Sequence, residues 1–572
     1  MQTFAKNGLL FAAAFLVFGC GKKDAEEVTQ TALKSTQASA ILEYVPADTP
    51  YFAGKLEPVS DKVMKKLQPM TEDVIKIYGK ILTDVVSQAA KKDDDDAEKA
   101  NAFMDVLGEE LKDGNLDGFG IDLNARVALY GQGLLPVLRM DLADSDKFEA
   151  AIARLEKESG ESMDVAEIDG QSYRSIGNDE ANFLLAVFDG QFVATMAPAN
   201  ASPELLKQVL GISKPAKNLG DTDKLTNLSS KYGYLPQSIG FLDTLELVET
   251  FVTEPNGVNK ELFATGKYDS SELSDVCKAE YRELAGVMPS ISFGTTSQTP
   301  DRADAKMVFE LRPDLAASLK PIATSVPGVG GNMGGMFAYG LSLNIEAALD
   351  FMSDRVKALE EKPYQCEKLA SLQQSGAGMQ QALSSPLPPF VNNFKGAAFV
   401  VDDIKKMDFS GGQPPEVEFR ALISMDDAPG LLMMGQMFVP ALGQVQLEPN
   451  GEVTALPSDI VPGNDQPVFV ALTDSAILLG LGAATEDKLT PMLNAASPDV
   501  PPLQSFSYDM AAYMQFIGKA MDEAAKQGGD SEVNMADMKD LFDTLGKYFD
   551  RTWMDVTATD NGIEVPYSIT FK

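Results

Sequence analysis

The chemistry open to this chain is limited first by a residue type that it lacks. None of its 572 residues is histidine, which excludes Ser–His–Asp and Cys–His nucleophiles and every metal site that needs an imidazole ligand. The 84 Asp and Glu residues leave paired carboxylates available, and with them the hydrolysis of glycosides. No pair of acids is marked out by its spacing, so the sequence predicts no catalytic residues.

One short segment has the spacing of a cation site. Asp113-Gly-Asn-Leu-Asp-Gly118 matches the opening half of a calcium-binding loop, in which oxygen atoms at alternate positions surround the ion. Asp113, Asn115 and Asp117 are the candidate ligands. The twelfth position is Asn124, which cannot supply the bidentate carboxylate that closes such a loop. A turn rich in Gly and Asp is the favoured interpretation, and we predict no metal and no cofactor.

Methionine supplies a third kind of candidate, because the chain contains 25 of them. Met433, Met434 and Met437 are spaced for one side of a helix and its edge. Packing in a core is the expected role of these side chains. An adaptable apolar binding groove and a thioether site for copper(I) are the alternatives.

The N-terminus carries an apolar run, Gly8–Phe18, after the single early cation Lys6. At ~1.5 Å per residue this run spans about 16 Å as a helix, roughly half of the ~30 Å hydrocarbon core of a membrane. It is therefore typical of a signal peptide and not of a membrane-spanning anchor. The run ends at Val17-Phe-Gly-Cys20, with a small residue directly before the cysteine.

This ending resembles the lipobox of bacterial lipoproteins. The resemblance implies a signal peptide over 1–19, cleavage before Cys20 and attachment of lipid to the Cys20 sulfur. Residue 21 is glycine and not the aspartate that retains lipoproteins in the inner membrane, which implies the outer membrane, on either face. Residues 20–40 are then the lipidated cysteine and a flexible polar tether. The alternative is an ordinary secreted protein whose cysteine lies there by chance.

Two further cysteines, Cys277 and Cys366, form an even pair in an oxidising compartment. We predict a disulfide between them, and two separate buried thiols are the alternative. Closing a loop of about 90 residues stabilises the fold by about 4 kcal/mol in the chain-entropy model.

The net charge limits the partners of the protein. The chain has 48 Lys and Arg against 84 Asp and Glu, a formal net charge of −36. Nucleic-acid binding relies on clustered cations, so no nucleic-acid partner is predicted. The acidic body is also repelled by anionic membrane surfaces, so the N-terminal lipid is the predicted contact with the membrane.

The elements that must position these residues follow a pattern that occurs twice. Apolar periodicity predicts a strand running into a helix over 137–157 and again over 419–438. Apolar strands also flank Asp189-Gly190 and Asp474-Ser475, which predicts a β-hairpin at each pair. The strand–helix segment and the hairpin lie at the same spacing in both halves, which indicates an internal duplication.

The predicted fold class is α+β, with two tandem copies of a strand–helix–β-hairpin–helix–strand unit and antiparallel sheets. The copies span 41–325 and 336–572. The Gly-rich segment 326–335 between them is predicted to be a flexible linker, since its glycines fit no phosphate-binding fingerprint. This pattern resembles an uncharacterised family of secreted and lipid-anchored bacterial proteins of unknown function, and the resemblance implies no activity.

The sequence thus favours a non-enzymatic, lipid-anchored envelope protein that binds a periplasmic partner protein or an apolar ligand. The alternative is a carboxylate-dependent hydrolase acting on cell-wall glycans. A purely structural envelope component without a small-molecule site is a third interpretation.

Overall fold

The chain forms two compact units. The computed structural model describes residues 40–89, 106–112, 114, 116–160, 162–266, 268–383, 387–406, 416–438, 443, 445–457, 466–526 and 535–572. The first unit comprises Met1–Met307, Gly518–Tyr548 and Phe571–Lys572, and the second comprises Val308–Ile517 and Phe549–Thr570. Among the described residues, no helix is both long enough and apolar enough to cross a membrane.

The strands are numbered in chain order. They are β1 (Tyr51–Lys55), β2 (Val127–Gln132), β3 (Leu135–Asp141), β4 (Asp164–Ile168), β5 (Gln171–Gly177), β6 (Ala181–Phe188), β7 (Gln191–Pro198), β8 (Ile239–Asp243), β9 (Ser290–Thr299), β10 (Arg302–Glu310), β11 (Phe337–Ser342), β12 (Phe394–Lys406), β13 (Glu416–Met425), β14 (Thr454–Leu456), β15 (Val468–Leu472), β16 (Ala476–Leu481), β17 (Gln504–Asp509), β18 (Phe549–Thr559) and β19 (Gly562–Phe571).

The helices of seven residues or more that the structure describes are numbered in the same way. They are α1 (Asp61–Ala89), α2 (Ser145–Ser159), α3 (Pro203–Leu210), α4 (Lys224–Tyr232), α5 (Thr244–Val252), α6 (Gly257–Gly266), α7 (Asp275–Ala285), α8 (Pro313–Leu319), α9 (Ile345–Glu361), α10 (Ala370–Leu383), α11 (Ala428–Phe438), α12 (Glu486–Leu493), α13 (Met510–Lys526) and α14 (Met535–Tyr548).

In the first unit the strands pair antiparallel in the order β4-β5-β6-β7-β3-β2-β1-β8-β9. The predicted hairpin at Asp189-Gly190 is confirmed, because Phe188 on β6 lies opposite Gln191 on β7. Both turn residues have positive φ, 51° and 75°, as a two-residue turn between twisted strands requires.

The predicted helix after β3 is also confirmed. The side chain of Asp144 accepts a hydrogen bond from the backbone N–H of Lys147 and so caps the start of α2. The helix ends at Gly160 with a left-handed φ of 74°. Its apolar side chains, among them Phe148 and Leu155, are buried in a core cluster against the sheet.

In the second unit the strands pair antiparallel in the order β14-β15-β16-β13-β12-β11-β17-β18. The predicted hairpin at Asp474-Ser475 is confirmed, because Leu472 lies opposite Ile477. The core of this unit packs on one face of the sheet and includes Val400, Leu422 and Leu478.

The predicted fold class is wrong. The 19 strands of the described residues belong to one antiparallel sheet, whereas the prediction placed antiparallel sheets in each of two tandem copies. The compact units are also not consecutive in the chain, since Gly518–Tyr548 belongs to the first unit. Hydrophobic alternation identifies a strand and its buried face, but strand pairing depends on non-local neighbours that similar local patterns do not encode.

The Gly-rich segment 326–335 differs from the flexible linker expected of it. Its Val329 is buried in the core of the second unit. The backbone N–H of Gly331 donates to both carboxylate oxygens of Asp555, at 3.0 Å each. Arg551 donates from Nη2 to the carbonyl of Gly335 at 2.9 Å. The segment is therefore fixed on the sheet of the second unit, and its glycines allow that close approach.

Candidate functional site

The predicted lipidation site, Cys20, lies outside the described residues, as do the signal peptide and the tether up to residue 39. Cys277 and Cys366 are both buried and both disulfide-bonded. The predicted disulfide is thus present, and neither thiol is available for chemistry or for metal binding.

The proposed calcium loop is described only in part, since Asp113 and Asn115 lie outside the described residues. Asp117 begins a short 3-10 turn. The side chain of Asn124, the twelfth loop position, accepts a hydrogen bond from the N–H of Val59 and donates one to its carbonyl. Asn124 therefore holds the Val59 backbone, and whether the loop binds calcium stays a prediction.

The methionines on α11 differ from their expected role. Leu431 and Leu432 pack against a buried cluster that contains Met425. Met433 is 68% exposed and Met437 is 80% exposed. The prediction of core packing is therefore wrong for these two residues.

Aromatic side chains gather on the other face of the second unit's sheet. We call this set the aromatic face; its members are Phe337, Tyr339, Phe399, Phe506, Tyr508, Tyr513 and Phe516. Phe337 lies opposite Tyr508, and Tyr339 lies opposite both Phe506 and Phe399 in the strand register. Residues two apart on a strand point to the same side, so the register brings these rings together.

The rings of the aromatic face form a continuous series of contacts. The Tyr339 ring lies 5.0 Å from Phe506 and 5.7 Å from Phe399. On α13, the Tyr513 ring stacks on Phe337 at 5.6 Å with an interplanar angle of 19°. Aromatic pairs of this kind contribute about 0.5–1.5 kcal/mol each beyond the area they bury. These contacts stabilise the arrangement of the rings.

The aromatic face is incompletely covered. Each of its side chains keeps an intermediate exposure to solvent, whereas Ala338 and Val400, at alternate positions of the same strands, are buried in the core. Burial nevertheless raises the pKa of the Tyr508 phenol, so the ring carries no charge at neutral pH. The sheet thus has one closed apolar face and one partly open aromatic face.

This arrangement suits binding more than catalysis. Aromatic rings offer flat apolar area at a low cost in conformational entropy, and tyrosine hydroxyls can orient a polar group on the ligand. None of the side chains on the aromatic face is a nucleophile activated by a neighbouring base. An apolar or amphipathic ligand fits such a surface.

A concave surface of the second unit is acidic. It encloses about 610 Å³ and is lined by Asn450, Gly451, Glu452, Val453, Thr454, Glu486, Asp487 and Thr490. Within the part of the chain that the structure describes, no group of three His, Cys, Asp or Glu side chains could hold a metal ion. Three neighbouring acids alone do not define a site.

The hydrolase alternative needs a carboxyl group with a raised pKa. Among the described residues the pKa of Glu246 is raised, first by desolvation and then by the charge of Asp243. Glu246 lies in the first turn of α5, where the Asp243 side chain accepts a hydrogen bond from its N–H. Asp243 is itself paired with Lys224 at 2.7 Å. Burial and the neighbouring Asp243 charge account for the raised pKa of Glu246.

Comparison of the chain with models of protein families, with curated proteins and with solved structures found no match. The residues and their geometry therefore carry the functional argument. The resemblance to secreted and lipid-anchored bacterial proteins stays a prediction.

The aromatic face was not predicted from the sequence. Phe337-x-Tyr339 and Phe506-x-Tyr508 show the alternation of one-sided strands, and this signal was available. That the two pairs meet on neighbouring strands follows only from the pairing of β11 with β17, which lie far apart in the chain.

Proposed function

We propose that this protein is a lipid-anchored envelope protein whose second unit binds an apolar ligand on the aromatic face. The single observation that carries the binding role is the continuous set of aromatic rings that remain partly exposed on one face of a folded sheet. The anchor rests on the sequence at Cys20 alone.

The proposed role is non-enzymatic. The absence of histidine from the sequence and the pairing of Cys277 and Cys366 remove the commonest nucleophile systems. The ligand is expected to be largely hydrocarbon, with one polar end that a tyrosine hydroxyl can meet.

The test is a fluorescence titration with N-phenyl-1-naphthylamine, an uncharged apolar probe. Wild-type protein should bind the probe saturably, and Phe399→Ala should weaken binding at least fivefold because it removes the ring that contacts both Phe337 and Tyr339. Circular dichroism checks that the variant stays folded.

The matched control is Phe251→Ala. Phe251 is 37% exposed and belongs to a separate ring cluster of the first unit with Phe263 and Tyr268. This variant should bind the probe as the wild type does. Equal affinity in the wild type and both variants would overturn the proposed binding surface.

A further inference from the structure

Helix α11, which carries the two exposed methionines, packs against the second unit through its leucines. Leu431 and Leu432 attach the helix to a buried cluster formed by Met425, Ala428 and Leu472. Met433 and Met437 are four residues apart, so their side chains project from the same side of the helix. Their exposed fractions are 68% and 80%. Two thioether groups are thus presented side by side to solvent.

The helix that carries the two thioethers does not repel a cation. Helix α11 has the sequence Ala-Pro-Gly-Leu-Leu-Met-Met-Gly-Gln-Met-Phe and contains no Lys or Arg. Met437 lies in the last turn, where the partial negative charge of the helix dipole is located. Asp426 and Asp427 precede the helix at its other end, where Asp426 is paired with Lys395 at 3.0 Å. Helix α11 itself places no positive side chain beside the two thioethers.

The chemistry of the ligand atoms selects the class of cation. Thioether sulfur is a soft, uncharged ligand that prefers copper(I) and similar soft ions over magnesium or calcium. The disulfide removes Cys277 and Cys366 as competing soft ligands. Of the exposed methionines in the described part of the chain, Met433 and Met437 have the largest exposed fractions.

We propose that Met433 and Met437 together form a surface site for a soft monovalent cation of the copper(I) or silver(I) class. The pair binds the ion through both sulfur atoms, and solvent occupies the remaining positions. This site shares no residue with the aromatic face. It therefore does not depend on the ligand proposed for that face.

The test is a titration of the full chain, labelled with ¹³C in its methionine methyl groups, with silver(I) nitrate, which stands in for copper(I) without redox chemistry. Met433→Leu and Met437→Leu assign the two signals and preserve an apolar side chain of similar size. Both signals should shift together and saturate by one equivalent of bound silver. In Met433→Leu the affinity reported by Met437 should fall at least tenfold.

Met379 provides the internal control, because it is 43% exposed on α10 and Met379→Leu assigns its signal. It should stay unshifted over the range in which Met433 and Met437 saturate. The proposal fails if all three signals shift together only at excess silver, or if Met437 responds equally in the wild type and in Met433→Leu.

Discussion

Arg139 is fully buried in the first unit, yet its direct hydrogen-bond acceptors are neutral. Its Nη1 donates to Oε1 of Gln191 at 3.0 Å and its Nη2 donates to the carbonyl of Leu210 at 2.9 Å. The guanidinium lies 3.6 Å from the centre of the Tyr44 ring. The Gln191 amide in turn donates to the Asp141 carboxylate at 2.9 Å, so a chain of hydrogen bonds links the guanidinium to a carboxylate.

Arg139→Lys tests this arrangement, since it keeps the charge and removes the planar fork. A lysine cannot serve both acceptors and stack on Tyr44, so we expect a loss of about 2 kcal/mol of stability. The measurement is the melting temperature by differential scanning calorimetry. The control is Arg282→Lys, at an exposed pair with Glu249, which should change stability by less than about 0.5 kcal/mol. Equal effects of the two substitutions would contradict the assignment.

At the scale of elements, the Gly-rich segment offers a matched pair of glycines. Gly335 has a φ of 68°, and a Cβ there would lie 2.4 Å from Cγ1 of Val400. Gly334 has a φ of 78°, and a Cβ there meets none of the described atoms within 4 Å. We expect Gly334→Ala to cost about 1 kcal/mol through backbone strain alone. Gly335→Ala adds a steric clash.

Gly335→Ala should therefore lower the melting temperature clearly more than Gly334→Ala does, by several degrees in thermal unfolding. If the segment were a free linker, the two substitutions would have the same small effect. That result would contradict the packing of 326–335 on the sheet.

Helix α14 is attached to α1 by an ionic contact. The Asp73 carboxylate accepts hydrogen bonds from Lys547 Nζ at 2.8 Å and from the Tyr548 hydroxyl at 2.6 Å. These contacts lower the pKa of Asp73 to about 2. Because the folded pKa is lower than the unfolded value of about 3.9, the stabilisation is present above pH ~4 and is lost as the pH falls towards 2.

Asp73→Asn should speed amide exchange across Met535–Tyr548 at neutral pH, by an amount equivalent to about 1 kcal/mol, because the site is partly exposed. Hydrogen–deuterium exchange with mass spectrometry measures this. Asp540→Asn removes only the exposed pair with Lys80 and should have a smaller effect. Identical exchange in the two variants would show that Asp73 does not hold the helix.

Turns and helices that depend on adjacent residues were predictable from the sequence. The pairing of strands that lie far apart in the chain was not. The hairpin at Asp189-Gly190 and the helix predicted within 137–157 depend on a few adjacent residues, and both elements were located correctly. The fold class was not, because it depends on which strands meet. The exposure of Met433 was missed for a related reason: the spacing of methionines on a helix does not say which side of the helix is covered.

At the scale of the whole molecule, we propose that a lipid anchor at Cys20 determines where the protein acts. The lipobox-like sequence at Cys20 implies a membrane-bound mature protein. We expect Cys20→Ser to move the protein from the membrane fraction to the soluble fraction, as measured by fractionation and immunoblotting. Cys277→Ser, which leaves the lipobox intact, should stay with the membrane. A Cys20→Ser variant that remains membrane-bound would contradict lipid anchoring.

The binding role of the aromatic face is the central claim, and photo-labelling tests it most directly. Wild-type protein is irradiated with a diazirine-bearing fatty acid, digested and mapped by mass spectrometry. We expect the label on peptides that contain Phe337–Ser342, Phe399 and Gln504–Phe516, and its loss when unlabelled fatty acid competes. Label that is spread over the chain and insensitive to competitor would contradict the claim.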